Sequence, residues 1–127
     1  MKAKVVVLDD NFDDVRGAIT GEMLMAAAKA GGHVIKKHAK ENASSGRPGL
    51  EVETRELVDS IKISPAKSTE TYAEVDVGPS VIYGAIHEFG GFGIPARPYM
   101  RPAIDENEDK IVDAVADEIR GNLEAVT

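Results

Sequence analysis

The sequence predicts an α+β fold, an antiparallel sheet of three or four strands packed by a long N-terminal helix and a C-terminal helix. Three observations predict it. Apolar residues recur every three or four positions from Val15 to Ala27 and on to His38, and again down the last twenty residues, the period of a helix with one buried face. Between those stripes, Ser60–Ser64 and Thr71–Val77 alternate polar with apolar residues, the period of a half-buried strand. The length of 127 residues suits one domain with one core, so 1–127 is read as a single domain.

At the start, Lys4-Val5-Val6-Val7-Leu8 is short and β-branched. Residues 1–12 are therefore read as an edge strand or as an arm that pairs only with a partner. The cluster Asp9-Asp10-Asn11 with Asp13-Asp14 suits a helix entry, where Asn11 or Asp13 caps free N–H groups and negative charge meets the positive end of the dipole. The stripe Val15, Ile19, Met23, Ala27, Ala30, Val34, His38 then marks one helical face, over about 30 residues. Gly31-Gly32 interrupts it at a cost of roughly 2 kcal/mol relative to alanine. A bend, a close approach of another backbone, or a tolerated weak spot each accounts for the pair.

Asn42–Gly49 is a loop by composition, and 43–53 is read as flexible. Glu51–Asp59, with Leu57 and Val58, has no periodicity that separates helix from strand. Pro65 closes the first strand of the hairpin, Pro65–Glu70 forms a six-residue connection, and Gly78-Pro79 ends the second strand. Val81–Phe89 is the most apolar stretch, and a glycine loop follows it. Prolines at 95, 98 and 102 exclude regular helix up to the last of them. Pro102 fits the first turn of a helix with the stripe Ile104, Ile111, Val115, Ile119, Leu123, continuing to about residue 122.

Lys plus Arg is 15 against 22 for Asp plus Glu, a net charge of −7. That argues against a protein gripping phosphate backbones or docking on anionic lipid. With no cysteine, disulfides, thiolate nucleophiles and Cys-bound zinc are excluded. The four apolar residues after Lys4 are too few for a signal sequence, and no run spans a membrane. From Ile104 to Val126 there are eight acids and two bases, and such a run reads as a solvated face.

No catalytic set assembles. His87-Glu88 lacks the second histidine of a zinc protease, since Gly91 stands there. His33 and His38, five apart, do not face one metal. Ser44-Ser45 has no histidine near it, and Gly90-Gly91-Phe92-Gly93 lacks the Lys-Ser/Thr of a phosphate loop. No enzyme, metal or cofactor is expected. The alternative is a small hydrolase using His87 and Glu88.

Three stretches carry a resemblance. Thr54-Arg55-Glu56-Leu57-Val58-Asp59-Ser60-Ile61 resembles the Thr-Gly-x-Leu-x-x-Ser-Ile element of small tail-component proteins of tailed bacteriophages, with Arg55 in place of the usual glycine. Tyr83–Gly90 is similar to their tyrosine-to-Glu-Phe-Gly element. Pro95-Ala96-Arg97-Pro98-Tyr99-Met100-Arg101-Pro102-Ala103 is similar to their Pro-Ala-Arg-Pro-aromatic-aliphatic-Arg-Pro-Ala signature, and Mu-type virion morphogenesis proteins share parts of these motifs.

The resemblance implies a structural virion protein, made in the host cytoplasm and located at the neck or tail. There it would complete the tail or join it to the head, as a ring around the DNA channel. Such rings are commonly hexameric. Implied partners are further copies of the chain and the adjoining head-connector and tail-tube proteins, with DNA passing through without specific binding. Arg97, Pro98, Tyr99, Arg101 and Pro102, with Glu88 and Phe89, are the candidate assembly interface. Arg and Tyr are enriched at interface hot spots, and a proline-stiffened strip loses little entropy on docking. Pairing of both arginines within the chain, to Glu88 or to the last helix's acids, is the open alternative.

Overall fold

The computed structural model describes residues 2–8, 19–44 and 51–126. The expected helix entry at Asn11 or Asp13, the start of the stripe at Val15 and the tip of the 43–53 loop lie outside these residues. Eight elements follow in order: β1 (Ala3–Leu8), α1 (Gly21–Ser44), α2 (Glu51–Ser60), β2 (Lys62–Ser68), β3 (Tyr72–Gly78), α3 (Gly84–Phe89), α4 (Met100–Asp105) and α5 (Glu108–Val126).

The sheet has three antiparallel strands in the order β1-β3-β2. Ala3 lies opposite Val77 and Leu8 opposite Tyr72, so the N-terminal segment is an edge strand paired within its own chain. The alternation sorts the two faces. Val5, Val7, Ala73, Val75 and Val77 are buried in the core with α1. On the other face, Lys4 Nζ donates to Asp76 (2.8 Å) and Glu74 (3.2 Å), and the Tyr72 hydroxyl donates to Glu74.

The inner face of α1 is Met23, Leu24, Ala27, Ala28, Gly31, Gly32, Ile35 and Ala39. The expected stripe is buried at Ile19, Met23 and Ala27, but Ile19 precedes the helix, which begins at Gly21 and spans 24 residues against about 30 expected. Ala30, Val34 and His38 are only half-buried, because the glycine pair turns inward in their place. A Cβ on Gly31 would sit 2.9 Å from Val115 Cγ2 and 3.2 Å from Val5 Cγ1, and one on Gly32 would sit 3.3 Å from the Cγ2 atoms of Val75 and Val77. What approaches is side chains of α5, β1 and β3, and the helix is continuous through both glycines. A periodicity count passes over glycine, so this close approach of helix and sheet is invisible to it.

Four expectations need correction. Strand β2 does not stop at Pro65 but runs to Ser68, with its register shifting between Pro65 and Lys67. It is an edge strand, where a missing N–H need face no partner. The connection shrinks to residues 69–71, closed by Thr69 N–H donating to Tyr72 O at 2.8 Å. The apolar stretch Val81–Phe89, to which the sequence assigns no element type, is a turn followed by α3, and among the described residues the sheet takes the three-stranded form of the expected three or four.

The last helix is two helices, divided at Glu106-Asn107. Asn107 makes the break: its Nδ2 donates to Ala103 O (3.0 Å), and its own carbonyl accepts from Ile111 N–H (2.9 Å). Glu108 and Asp109 then fill the first turn of α5, where acids suit the dipole. Ile111, Val115, Ile119 and Leu123 pack on the core, and all eight acids of the segment are exposed.

The 43–53 loop is also shorter than expected, because Ala43-Ser44 and Glu51–Glu53 belong to α1 and α2. Helix α2 settles the ambiguous segment: Leu57 and Ser60 are buried on one face, and Arg55 is exposed in helical backbone that needs no glycine.

Candidate assembly interface

The site grows from the packing of α3 against residues 94–101. Gly84 opens α3 under Pro79, where a Cβ would lie 2.5 Å from Pro79 Cγ and 3.0 Å from the Tyr99 hydroxyl oxygen. With no side chain there, the Tyr99 hydroxyl donates to Gly84 O at 2.9 Å. Burial, with the charge of Glu88 as a lesser cause, pushes the Tyr99 phenol far above its ordinary range.

Glu88 has a structural task. A helix leaves its first N–H groups without intrahelical acceptors, and Tyr99, at the head of α4, offers no side-chain cap. The Glu88 carboxylate supplies one from a distance. Its Oε1 accepts from the N–H groups of Tyr99 (3.0 Å) and Met100 (2.9 Å), and its Oε2 from that of Arg101 (3.3 Å). Pro102, next in line, has no N–H to satisfy. Each donor of the turn is thereby accounted for.

Further bonds lock the strip down. Arg97 N–H donates to His87 O at 2.7 Å, and Asn42 Nδ2 donates to Tyr99 O at 3.1 Å. The Tyr83 ring meets His87 edge to face at 6.0 Å, and its hydroxyl donates to Glu56 Oε2. The three sequence motifs, spread over residues 54–103, are thus one interlocked unit.

A tight turn projects from it. Gly91 and Ile94 exchange two backbone hydrogen bonds, of 3.0 and 2.9 Å. Between them Phe92 (φ 51°) and Gly93 (φ 79°) are both left-handed, as in the hairpin turns that favour Asn-Gly. A side chain there costs about 1–2 kcal/mol, yet this chain spends it on Phe92, which is 93% exposed. Phe89 is 71% and Ile82 92% exposed. Sequence reasoning missed Phe92 by treating the loop only as a failed phosphate loop. The available signal was an aromatic residue where a left-handed turn wants asparagine.

The candidate residues divide into two groups. Phe89, Arg97, Pro98 and Arg101 are exposed and Pro102 is half-buried. The Arg101 guanidinium lies 3.7 Å from Asp105, an exposed pair that contributes little. Glu88 and Tyr99 are 4% and 2% exposed, so they shape the strip from inside.

Nothing in this arrangement favours hydrolysis. His87 is 4% exposed and adjoins a space of about 20 Å³, lined also by Asn42, Leu57, Arg97 and Tyr99, room for one water. Glu88 already holds three backbone amides. Among the described residues no group of His, Asp and Glu is placed to hold a metal ion, and no helix is long and apolar enough to cross a membrane.

A family model described as "Bacteriophage HK97-gp10, putative tail-component" matches residues 7–90, more than half of the chain. No curated protein and no solved structure matches.

Proposed function

This chain belongs to the HK97-gp10-like family of bacteriophage tail components, and from that premise we propose that it completes the tail or joins it to the head, forming a ring of its own copies around the DNA channel. As a phage tail component it is a structural protein of the virion. The finer reading takes a sixfold ring, with head-connector and tail-tube proteins above and below it.

The observation that supports this reading is the locked strip at 89–102, which presents Phe89, Phe92, Arg97, Pro98 and Arg101 outward. Aromatic and arginine side chains dominate binding energy at interfaces. A strip already held by Glu88, Tyr99 and its own turn has little freedom left to lose on docking. Charge fits the passage of DNA: six copies at −7 each carry −42, and an acidic lumen lets DNA slide where a basic one would hold it. The hydrolase alternative finds no support in the geometry of His87 and Glu88.

The test is complementation of a particle lacking this protein with a chain carrying Phe92→Ser and Arg97→Ala. Both positions are exposed, so the chain keeps its fold by circular dichroism, while unjoined heads and tails accumulate. An unchanged titre of infectious particles would overturn the proposal.

A further inference from the structure

One flank of α5 is not used by the fold. Ile111, Val115 and Ile119 take the core side of that helix, while Val112 is 64% exposed. Glu108 and Asp109 lie one turn before Val112 and Asp113 beside it, all exposed. The flank is an apolar spot with acids on its N-terminal side and along one edge. The strip at 89–102 offers the converse, an apolar knob at Phe92 with two exposed arginines, Arg97 and Arg101, behind it.

We propose that the strip of one copy seats on the Val112 flank of α5 in a second copy, with Phe92 against Val112 and the arginines toward Glu108, Asp109 and Asp113. This rests on the ring reading above and names the surface that receives the strip.

Electrostatics sets the orientation. Two copies at −7 repel at long range, so a contact forms best where local cations face local acids, and like-charge pairing disfavours other docking modes. The exposed Arg101–Asp105 pair exchanges readily for an intermolecular one. The two patches differ, so the contact is head-to-tail, and contacts of that kind close into rings or run on as filaments.

Two full-length variants test this, Arg97→Glu with Arg101→Glu, and Asp109→Arg with Asp113→Arg. Each pits like charges against each other in its own homotypic contact, and at low salt each should lose assembly at least tenfold by light scattering, with an unchanged circular dichroism spectrum. Mixed one to one, they restore every contact in alternation, and assembly returns. If wild-type rings form and both variants assemble as well as wild type, the seat is wrong and the ring reading stands. Two defective variants that fail to rescue each other place the acidic receiver on another protein and overturn the proposal. If the wild type stays monomeric at every concentration, the ring reading falls and takes this inference with it.

Discussion

Replacing Glu88 by alanine removes the acceptor for three backbone N–H groups at once, those of Tyr99, Met100 and Arg101. A buried donor left without a partner costs about 1–3 kcal/mol, and loss of a helix cap alone costs about 1 kcal/mol. The three donors share one site, and the Arg101 bond is the longest at 3.3 Å, so their costs do not add in full. A loss of about 3–5 kcal/mol follows, a large share of a total stability of roughly 5–15 kcal/mol. For a chain of this size that lowers the midpoint of thermal unfolding by roughly 10–20 °C. Glutamine keeps one oxygen for Tyr99 and Met100 but turns an NH2 toward Arg101, so Glu88→Gln should lose about 1–2 kcal/mol. Urea and thermal unfolding followed by circular dichroism check both. If Glu88→Ala unfolds within about 0.5 kcal/mol of wild type, or if Gln is no better than Ala, the carboxylate does not cap α4. A partner-binding or catalytic Glu88 would instead leave stability unchanged and abolish assembly or turnover.

Three other outcomes are expected. Gly31→Ala gains about 1 kcal/mol of helix propensity but drives a Cβ into Val115 at 2.9 Å, so unfolding should show a net loss of about 1–2 kcal/mol. Adding Val115→Ala should recover part of that loss, whereas Gly32→Ala, with contacts at 3.3 Å, should be nearer neutral. Phe92→Gly relieves a left-handed backbone and should raise stability by about 1 kcal/mol, while weakening assembly; a loss of stability would mean that Phe92 packs within its own chain. Hydrogen bonds from Tyr72 first and Lys4 second hold the Glu74 carboxyl below its ordinary 4.5. A group depressed on folding adds stability above that value and loses it as the pH falls through the lower folded one. Lys4→Met with Tyr72→Phe should therefore flatten the fall in melting temperature as the pH drops below 4.5, and an unchanged slope would contradict the assignment.

The fold class was legible because its signals are periodic. The alternation of Ala73, Val75 and Val77 and the stripe of Ile111, Val115, Ile119 and Leu123 need only local spacing to be read. What escaped depends on contacts distant in sequence. Gly31 and Gly32 look like weak points until α5 and the sheet are seen pressing on them. Pro65 ends a strand in general but not on an edge, and edge position is a property of topology. The break at Asn107 carried a readable mark, an asparagine ahead of two acids, which the continuing stripe obscured.

The site divides along the same line. That residues 95–103 form one stiff element follows from their prolines. That Glu88 and Tyr99 lie beneath it, rather than on it, follows from where α3 places them. Residue type alone marks an arginine–tyrosine strip as an interface but does not say which side chains face outward. That Phe92 stands outward while Tyr99 and Glu88 are buried beneath the strip is what the fold contributes.

The most direct measurement of the central claim is the mass and shape of the purified full-length chain, by native mass spectrometry with negative-stain imaging at micromolar concentration. A closed annulus with a single copy number and an open centre is predicted. A single chain persisting to the limit of solubility, with no annulus in any field, would contradict it.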